Sequence, residues 1–366
     1  MEKSAFWKAR RVLVTGHTGF KGSWLSILLT MLGAEVIGYA LNPRTQNDNF
    51  EVCGLSDRIT DIRSDICDPI NLEKTFSEYN PEIVFHLAAQ PLVLESYKDI
   101  KGTYETNVIG TLNLLECVKN CEKTKCAVII TTDKCYENRE QIWGYRENDA
   151  LGGYDPYSSS KACVEILVSS FRNSFLNPTG YDSHRKAIAT VRAGNVIGGG
   201  DWAPDRLVPD CINSLIHDEK ICIRNPQAIR PWQHVIEPLY GYLLLAQNLV
   251  LHGAEYSEAW NFGPDPSEVT NVWDLATMIK NAFGKGELVD ESATKSPHEA
   301  SMLSLDITKA IYRLGWKPRL SIKQAVEMTV AWYKQNNELL DTHDSQYRMY
   351  ELCVKQIYNY LLKVAG

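Results

Sequence analysis

The stretch Arg11–Gly33, RVLVTGHTGFKGSWLSILLTMLG, decides the fold. Arg11–Thr15 is a short apolar run and reads as a buried strand. Lys21–Leu32 carries apolar residues at helical spacing, and Gly33 suits the position just past a helix end. Between them lies Gly16-His17-Thr18-Gly19-Phe20-Lys21-Gly22. Gly16 permits a tight turn, Gly19 lets a ligand approach the backbone, and Gly22 lets helix and strand pack. The first N–H groups of the helix then face a pyrophosphate. Three glycines alone also fit a plain tight turn. Their place between a first strand and a first helix points to a dinucleotide site, with Gly16, Thr18, Gly19, Phe20 and Gly22 as its contacts.

Strand and helix signals keep alternating downstream. Glu35–Leu41 reads as a strand, Arg58–Arg63 as a weaker one, and Pro69–Tyr79 as a helix with Pro in its first turn. Ile83–Ala89 is a strand and Thr103–Lys119 a long helix. Cys126–Thr132 is a strand, Tyr157–Phe175 a helix and Ala187–Arg192 a strand. This alternation buries a parallel sheet between two helical layers joined by right-handed crossovers. The fold class is therefore α/β, a doubly wound parallel Rossmann-type sheet with a smaller α/β substrate-binding domain.

The chain has 366 residues, which at roughly 150 per domain suits two domains. Past Asn195 the pattern becomes irregular, with Gly198-Gly199-Gly200, Pro204 and Pro209. Residues 1–195 are read as the dinucleotide-binding domain, with later segments returning to it. Residues 196–335 form the substrate domain, and 336–366 a helical tail, with a terminal helix expected over Thr342–Ala365.

The formal net charge is −7, so no global field favours nucleic acid or an anionic membrane surface. No apolar run reaches the roughly 20 residues that cross a bilayer, and Met1–Arg11 has no apolar signal core. The ten cysteines are too sparse for a secreted disulfide scaffold, and Cys117, Cys121 and Cys126 lack zinc-ligand spacing. The chain reads as cytoplasmic and reduced, with no metal.

A ribose-binding acid is expected near the end of the second strand. Glu35 lies at the wrong end of it. Asn42, followed by Arg44, stands at the right one. Asn42 suits a ribose hydroxyl and Arg44 a 2′-phosphate, so NAD is favoured and NADP stays open. Asp65, Ile66 and Ala88, at the ends of later strands, fall beside the cofactor.

Tyr-x-x-x-Lys on a helix puts both side chains on one face, and a nearby ammonium lowers a tyrosine pKa from its usual ~10. That makes an acid or base near neutral pH. Chance alone supplies such pairs in a chain with 18 tyrosines, and this one has two, Tyr97/Lys101 and Tyr157/Lys161. Position separates them. Tyr157 begins a helix beyond Thr132, which ends a strand, and active sites of open α/β sheets lie at strand ends. Tyr97/Lys101 precedes a helix start and reads as a surface pair.

The glycine loop, Thr132 and Tyr157/Lys161 together resemble the extended short-chain dehydrogenase/reductase superfamily. Within it the runs TGHTGFKGSWL, HLAAQPLV, TTDKCYEN, GYDPYSSSKACVE, VRAGNVIGGGDWA and IRPWQHVIEPL are similar to the CDP-glucose 4,6-dehydratase family, over roughly Phe6–Pro318. The resemblance implies a tightly bound NAD, a nucleotide-sugar substrate, CDP-glucose, and a homodimer or tetramer built on the long helices. It implies a lyase making a deoxysugar for a bacterial surface polysaccharide such as O-antigen.

The resemblance also implies roles for individual residues. Tyr157, with Lys161 and Thr132, takes the C4 hydroxyl proton while a hydride leaves C4. Asp133 is the acid at the departing C6 hydroxyl and Lys134 the base at C5. Each role asks for a burial-shifted pKa, and the pair is expected to titrate jointly. Arg206 and Arg230 fall at the diphosphate, Asn195 at the pyrophosphate, and His298 at the nucleotide. Asn107 matches a position tied to cofactor or water ordering. His17 and Lys21 are placed to touch phosphate, and His86 reads as a satisfied core histidine. The competing reading is another nucleotide-sugar dehydratase or a 4-epimerase of the same superfamily, although an epimerase needs no Asp133-Lys134 pair. A non-catalytic dinucleotide sensor would not need an intact Tyr157/Lys161.

Overall fold

The computed structural model describes residues 2–268, 270–292, 302–339 and 342–365. Seven strands form its main sheet: β1 (Arg11–Thr15), β2 (Glu35–Ala40), β3 (Thr60–Arg63), β4 (Ile83–His86), β5 (Cys126–Ile130), β6 (Ala187–Ala193) and β7 (Ala259–Phe262). Their order is β7-β6-β5-β4-β1-β2-β3, and every ladder between them is parallel. Strand order reverses beside β1, which has β2 on one edge and β4 on the other. Such a switch point opens a crevice at the carboxyl ends of the strands.

The near-continuous apolar strands follow from covering both faces. In β1, Val12 and Val14 point to one side and Leu13 to the other, as the two-residue pleat requires. Val12 and Val14 join a core with Trp24, Phe85 and Val128. Leu13 joins the opposite core with Ile37, Val84, Leu114 and Ile129.

Local signals set the ends of the site-bearing helices. The helix Pro156–Phe175 starts at a proline, and the Asp155 side chain caps it by accepting from the Ser158 backbone N–H at 2.9 Å. Pro69–Tyr79 is likewise capped by Asp68.

The long helix expected over Thr103–Lys119 is in fact composite. An α-helix over Ile100–Tyr104 runs into a π turn at Glu105–Ile109, then an α-helix over Gly110–Asn120. Apolar periodicity does not register one extra residue in a turn, so the break was invisible in the sequence. The strands read over Ile83–Ala89 and Cys126–Thr132 are shorter, because β4 and β5 stop where the chain turns into the crevice.

Beyond Asn195 the chain forms two-residue and three-residue ladders: Val196–Ile197 with Gln233–His234, Ile229–Arg230 with Thr270–Asn271, and Ile221–Ile223 with Leu288–Asp290. β7 lies in the same stretch yet pairs with β6 in the main sheet. The terminal helix Ser345–Ala365 packs on the first half of the chain. There Cys353 Sγ lies 3.8 Å from Cys53 Sγ, and the Gln346 amide donates to the Glu51 carbonyl at 3.1 Å.

Candidate active site

The crevice is a cavity of about 1530 Å³ along the strand ends. A single small ligand typically fills ~300–1,000 Å³, so this volume suits two nucleotide-sized ligands. Gly16, Thr18, Gly19, Phe20 and Gly22 line one part of it, with Asn42, Arg44, Asp65, Ile66 and Ala88 near them.

Gly16 has φ +73°, and a Cβ there would lie 2.7 Å from the Ala88 nitrogen. A Cβ on Gly22 would lie 2.0 Å from the Gly16 carbonyl oxygen. Thr18 Oγ1 donates to the Leu41 carbonyl at 3.0 Å, fastening the loop to the end of β2. The helix Phe20–Met31 begins at Gly19 with no side-chain cap. Its first residues, Phe20, Lys21 and Gly22, line the cavity, and an uncapped helix start there suits the phosphates of a dinucleotide.

The two neighbours read as phosphate contacts differ. His17 is buried away from the cavity, where its Nε2 bonds Asp61 Oδ1 at 2.7 Å and its ring meets Phe50 edge-on. Lys21 does line the cavity. Burial pulls its ammonium down to about 8, with Arg206 adding to the effect and Asp133 opposing it.

Thr132 caps a single 3₁₀ turn, Asp133–Cys135. Its Oγ1 accepts from the Lys134 N–H at 3.3 Å and donates to Asp133 Oδ1 at 3.1 Å. Asp133 is 1% exposed, and its Oδ2 has no hydrogen-bond partner among the described residues. Burial raises its carboxyl pKa, while Lys134, the Thr132 bond, Arg230 and Lys21 pull it back. A buried acid of this kind is able to hold a proton for transfer. Lys134, also on the cavity wall, is half-buried.

Tyr157 and Lys161 line the same cavity at 8% and 6% exposure. The Lys161 ammonium donates to the Ile130 carbonyl at 3.1 Å. The electrostatics differ from the expectation that Lys161 lowers Tyr157. Burial pushes the Tyr157 phenol up to about 12, and a Thr132 hydrogen bond and the Arg206 charge are what pull it back. Burial also brings Lys161 down to about 8, against the charge of Glu165. Desolvation penalises both charged forms and is the largest effect on each.

On the substrate side Asn195, Arg206 and Arg230 all line the cavity. Arg206 is bound to Asp201, Nη1 to Oδ2, at 2.8 Å and lies close enough to Tyr157 to act on it. Asn107 is not among the lining residues. It sits buried in the π turn, where its Oδ1 accepts from the Gln90 N–H at 2.8 Å and its amide donates to Ser160 Oγ at 2.8 Å. It thus joins the segment after β4 to the helix bearing Tyr157. His298 lies outside the described residues. His86 is a buried core residue between Thr15 Oγ1 at 2.7 Å and Thr111 Oγ1 at 3.0 Å. Sequence reading missed Asp201, the partner of Arg206, and Asp210, a lining carboxyl that burial and nearby Asp205 hold up to about 6. Neither stands in a recognisable motif.

Comparison with known proteins identifies the family and the fold. Residues 13–329 match the family model described as GDP-mannose 4,6 dehydratase. The chain is 51% identical over 329 residues to the CDP-glucose 4,6-dehydratase of Salmonella typhimurium, covering 90% of this chain and 92% of that one. The structure of UDP-glucuronic acid 4-epimerase from Bacillus cereus, in complex with UDP-glucuronic acid and NAD, is 25% identical. It superposes with TM-score 0.74 over 89% of this chain and 99% of that one. The dTDP-glucose 4,6-dehydratase of Bacillus anthracis, in complex with NAD, is 23% identical with TM-score 0.73 over 90% and 98%, and shares the fold. With this fold and a cavity walled by a buried acid, lysines and a tyrosine, the chain belongs to the nucleotide-sugar 4,6-dehydratase family of the extended short-chain dehydrogenases/reductases.

Proposed function

We propose that this protein converts CDP-glucose to CDP-4-keto-6-deoxyglucose and water. The observation that carries the reading is Asp133. It is a buried carboxyl with an unpartnered oxygen, beside Lys134 and on the same cavity wall as Tyr157 and Lys161. A 4-epimerase needs no such elimination pair. The choice of CDP-glucose is supported by the relative at 51% identity.

NAD would be held by the glycine loop at its phosphates, by Asn42 at a ribose and by Asp65 and Ile66 at the adenine. When bound, it supplies a hydride acceptor for C4 that becomes a hydride donor to C6. Everything else falls to the side chains. Tyr157 takes the proton of the C4 hydroxyl, with Thr132 and Arg206 favouring the negative form of its oxygen. The resulting C4 ketone acidifies the C5 proton. Lys134 removes that proton while Asp133 gives its own to the departing C6 hydroxyl, and one water leaves. After hydride reaches C6, a proton returns to C5. Arg230, in the same cavity, is suited to the diphosphate, as a guanidinium pairs well with phosphate oxygens.

Oligomer formation through the helices Ile100–Tyr104, Gly110–Asn120 and Pro156–Phe175 belongs to the same reading. Exposed Ile100, Ile166 and Phe175 on them support it. Among the described residues no helix is long and apolar enough to cross a membrane.

The test is incubation with NAD and CDP-, dTDP-, GDP- or UDP-glucose in ordinary and deuterated water, followed by mass spectrometry. Loss of one water from CDP-glucose alone, with one solvent deuteron gained at C5, is the expected result. Preference for another base overturns the CDP assignment. A chromatographically distinct product of unchanged mass points to the epimerase.

A further inference from the structure

The turn bearing Thr132, Asp133 and Lys134 is held at both ends by one buried ion pair. Arg192 of β6 and Glu165 of the helix Pro156–Phe175 meet Nη2 to Oε2 at 2.8 Å, with side chains 3% and 2% exposed. Glu165 Oε1 accepts from Thr131 Oγ1, the residue just before the turn. Glu165 Oε2 also accepts from Thr190 Oγ1 at 2.7 Å. Arg192 Nη1 donates to the hydroxyl of Tyr136, the residue that ends the turn, at 2.7 Å, and to the Glu147 carbonyl at 3.0 Å. The Tyr136 hydroxyl in turn donates to Asn261 Oδ1 at 2.8 Å.

Glu165 stands one helical turn after Lys161 and two after Tyr157, so all three share a helix face. A buried ion pair contributes little stability over an apolar pair of the same volume, because both charges are desolvated. This pair does fix a geometric relation. One side of the chemistry, the C4 proton, is handled from the helix. The other side, the elimination, is handled from the turn. Both must reach the same sugar ring.

We propose that Glu165 and Arg192 are positioning residues. They set the turn Asp133–Cys135 against Tyr157 and Lys161, so that C4 oxidation and C5–C6 elimination act on one bound sugar; this rests on the dehydratase reading above. The charge of Glu165 also opposes the desolvation of Lys161, which keeps the helix side of the site cationic.

The test uses the full chain carrying Glu165→Met with Arg192→Met. Removing both charges leaves neither one orphaned, so the fold is expected to persist, and a thermal melt checks this. Tyr136→Phe is the second variant and removes the tie from Arg192 to the turn while leaving the Arg192–Glu165 bond itself in place. In the double variant kcat for water loss should fall about 10²-fold, the scale of a misplacement near 1 Å, with KM held. Because elimination is slowed more than C4 oxidation, the near-ultraviolet absorbance of reduced nicotinamide should build up on the enzyme. Tyr136→Phe should show the same signature more weakly, and it decides the matter if the double variant does not fold. Wild-type kcat in a folded variant overturns the proposal. So does an equal loss of both steps with no reduced cofactor accumulating. A wild-type enzyme that removes no water from any nucleotide-glucose overturns the dehydratase reading, and the inference with it.

Discussion

Tyr97 and Lys101 stand four residues apart, as Tyr157 and Lys161 do, yet the first pair falls across two short helices, Val93–Lys98 and Ile100–Tyr104. The second pair shares one helix of 20 residues. Tyr97 is 48% exposed at the rim of the cavity, and Lys101 reaches outward to Glu105 at 3.3 Å. Tyr157 and Lys161 are buried at the centre, each with a partner from the end of β5. Spacing along a helix brings two side chains together only if the helix runs unbroken between them. It makes them reactive only if water is excluded.

The sharpest break of this comparison is Tyr157→Phe beside Tyr97→Phe. Loss of a positioned acid–base group costs about 10²–10⁴-fold in rate, so kcat should fall by that order in the first variant. Steady-state water release from CDP-glucose measures it. Asp133→Asn comes next, with kcat down by about 10²-fold at the low end of the same range, and it carries a sign in pH. A carboxyl whose folded pKa is raised weakens the fold as pH climbs above its ordinary value of ~3.9. The variant should therefore melt higher than wild type at neutral pH, with the advantage fading as pH falls toward that value.

Lys161→Met separates the two lysines by stability. Burial brings Lys161 to about 8, so the folded chain bears the full cost of its charge below pH 8. That cost is relieved as pH rises toward the free value of ~10.4. The Tm difference, variant minus wild type, should accordingly shift in favour of wild type as pH is raised from 8 to about 10. Lys101→Met should show no such trend. The smallest effect belongs to Tyr97→Phe, with kcat unchanged within about twofold, as for a surface change away from a catalytic contact. A large loss there would mean that the rim takes part in closing over substrate.

What could be read beforehand divides along a physical line. β1, its glycine loop and the following helix were legible because each local preference agrees with the fold around it. Gly16 needs its positive φ, Asp68 and Asp155 cap their helices, and Val12–Val14 are apolar because both faces are covered. Asp133 and Lys134 entered the proposed site only through resemblance, since nothing in Thr-Asp-Lys-Cys by itself says catalysis. The second half resisted. Its ladders are two or three residues long, too short for any period, and β7 rejoins the main sheet after a long excursion. Asp201, Glu165 and Arg192 gave no local signal, because their importance lies in side-chain contacts between residues 5 to 56 positions apart. The Tyr157 pKa was misjudged for a related reason: four-residue spacing shows proximity but says nothing of how much water remains.

The π turn at Glu105–Ile109 is also a matter of phase. A helix keeps its faces by counting, and each residue advances the count by about 100°. A π turn closes its hydrogen bond one residue later than an α turn and so absorbs an extra step. The faces of Ile100–Tyr104 and Gly110–Asn120 are therefore in different register with the sequence. Deleting a single residue between 105 and 109 would restore a regular helix and rotate one half against the other. It would carry the Asn107 amide away from Gln90 and Ser160.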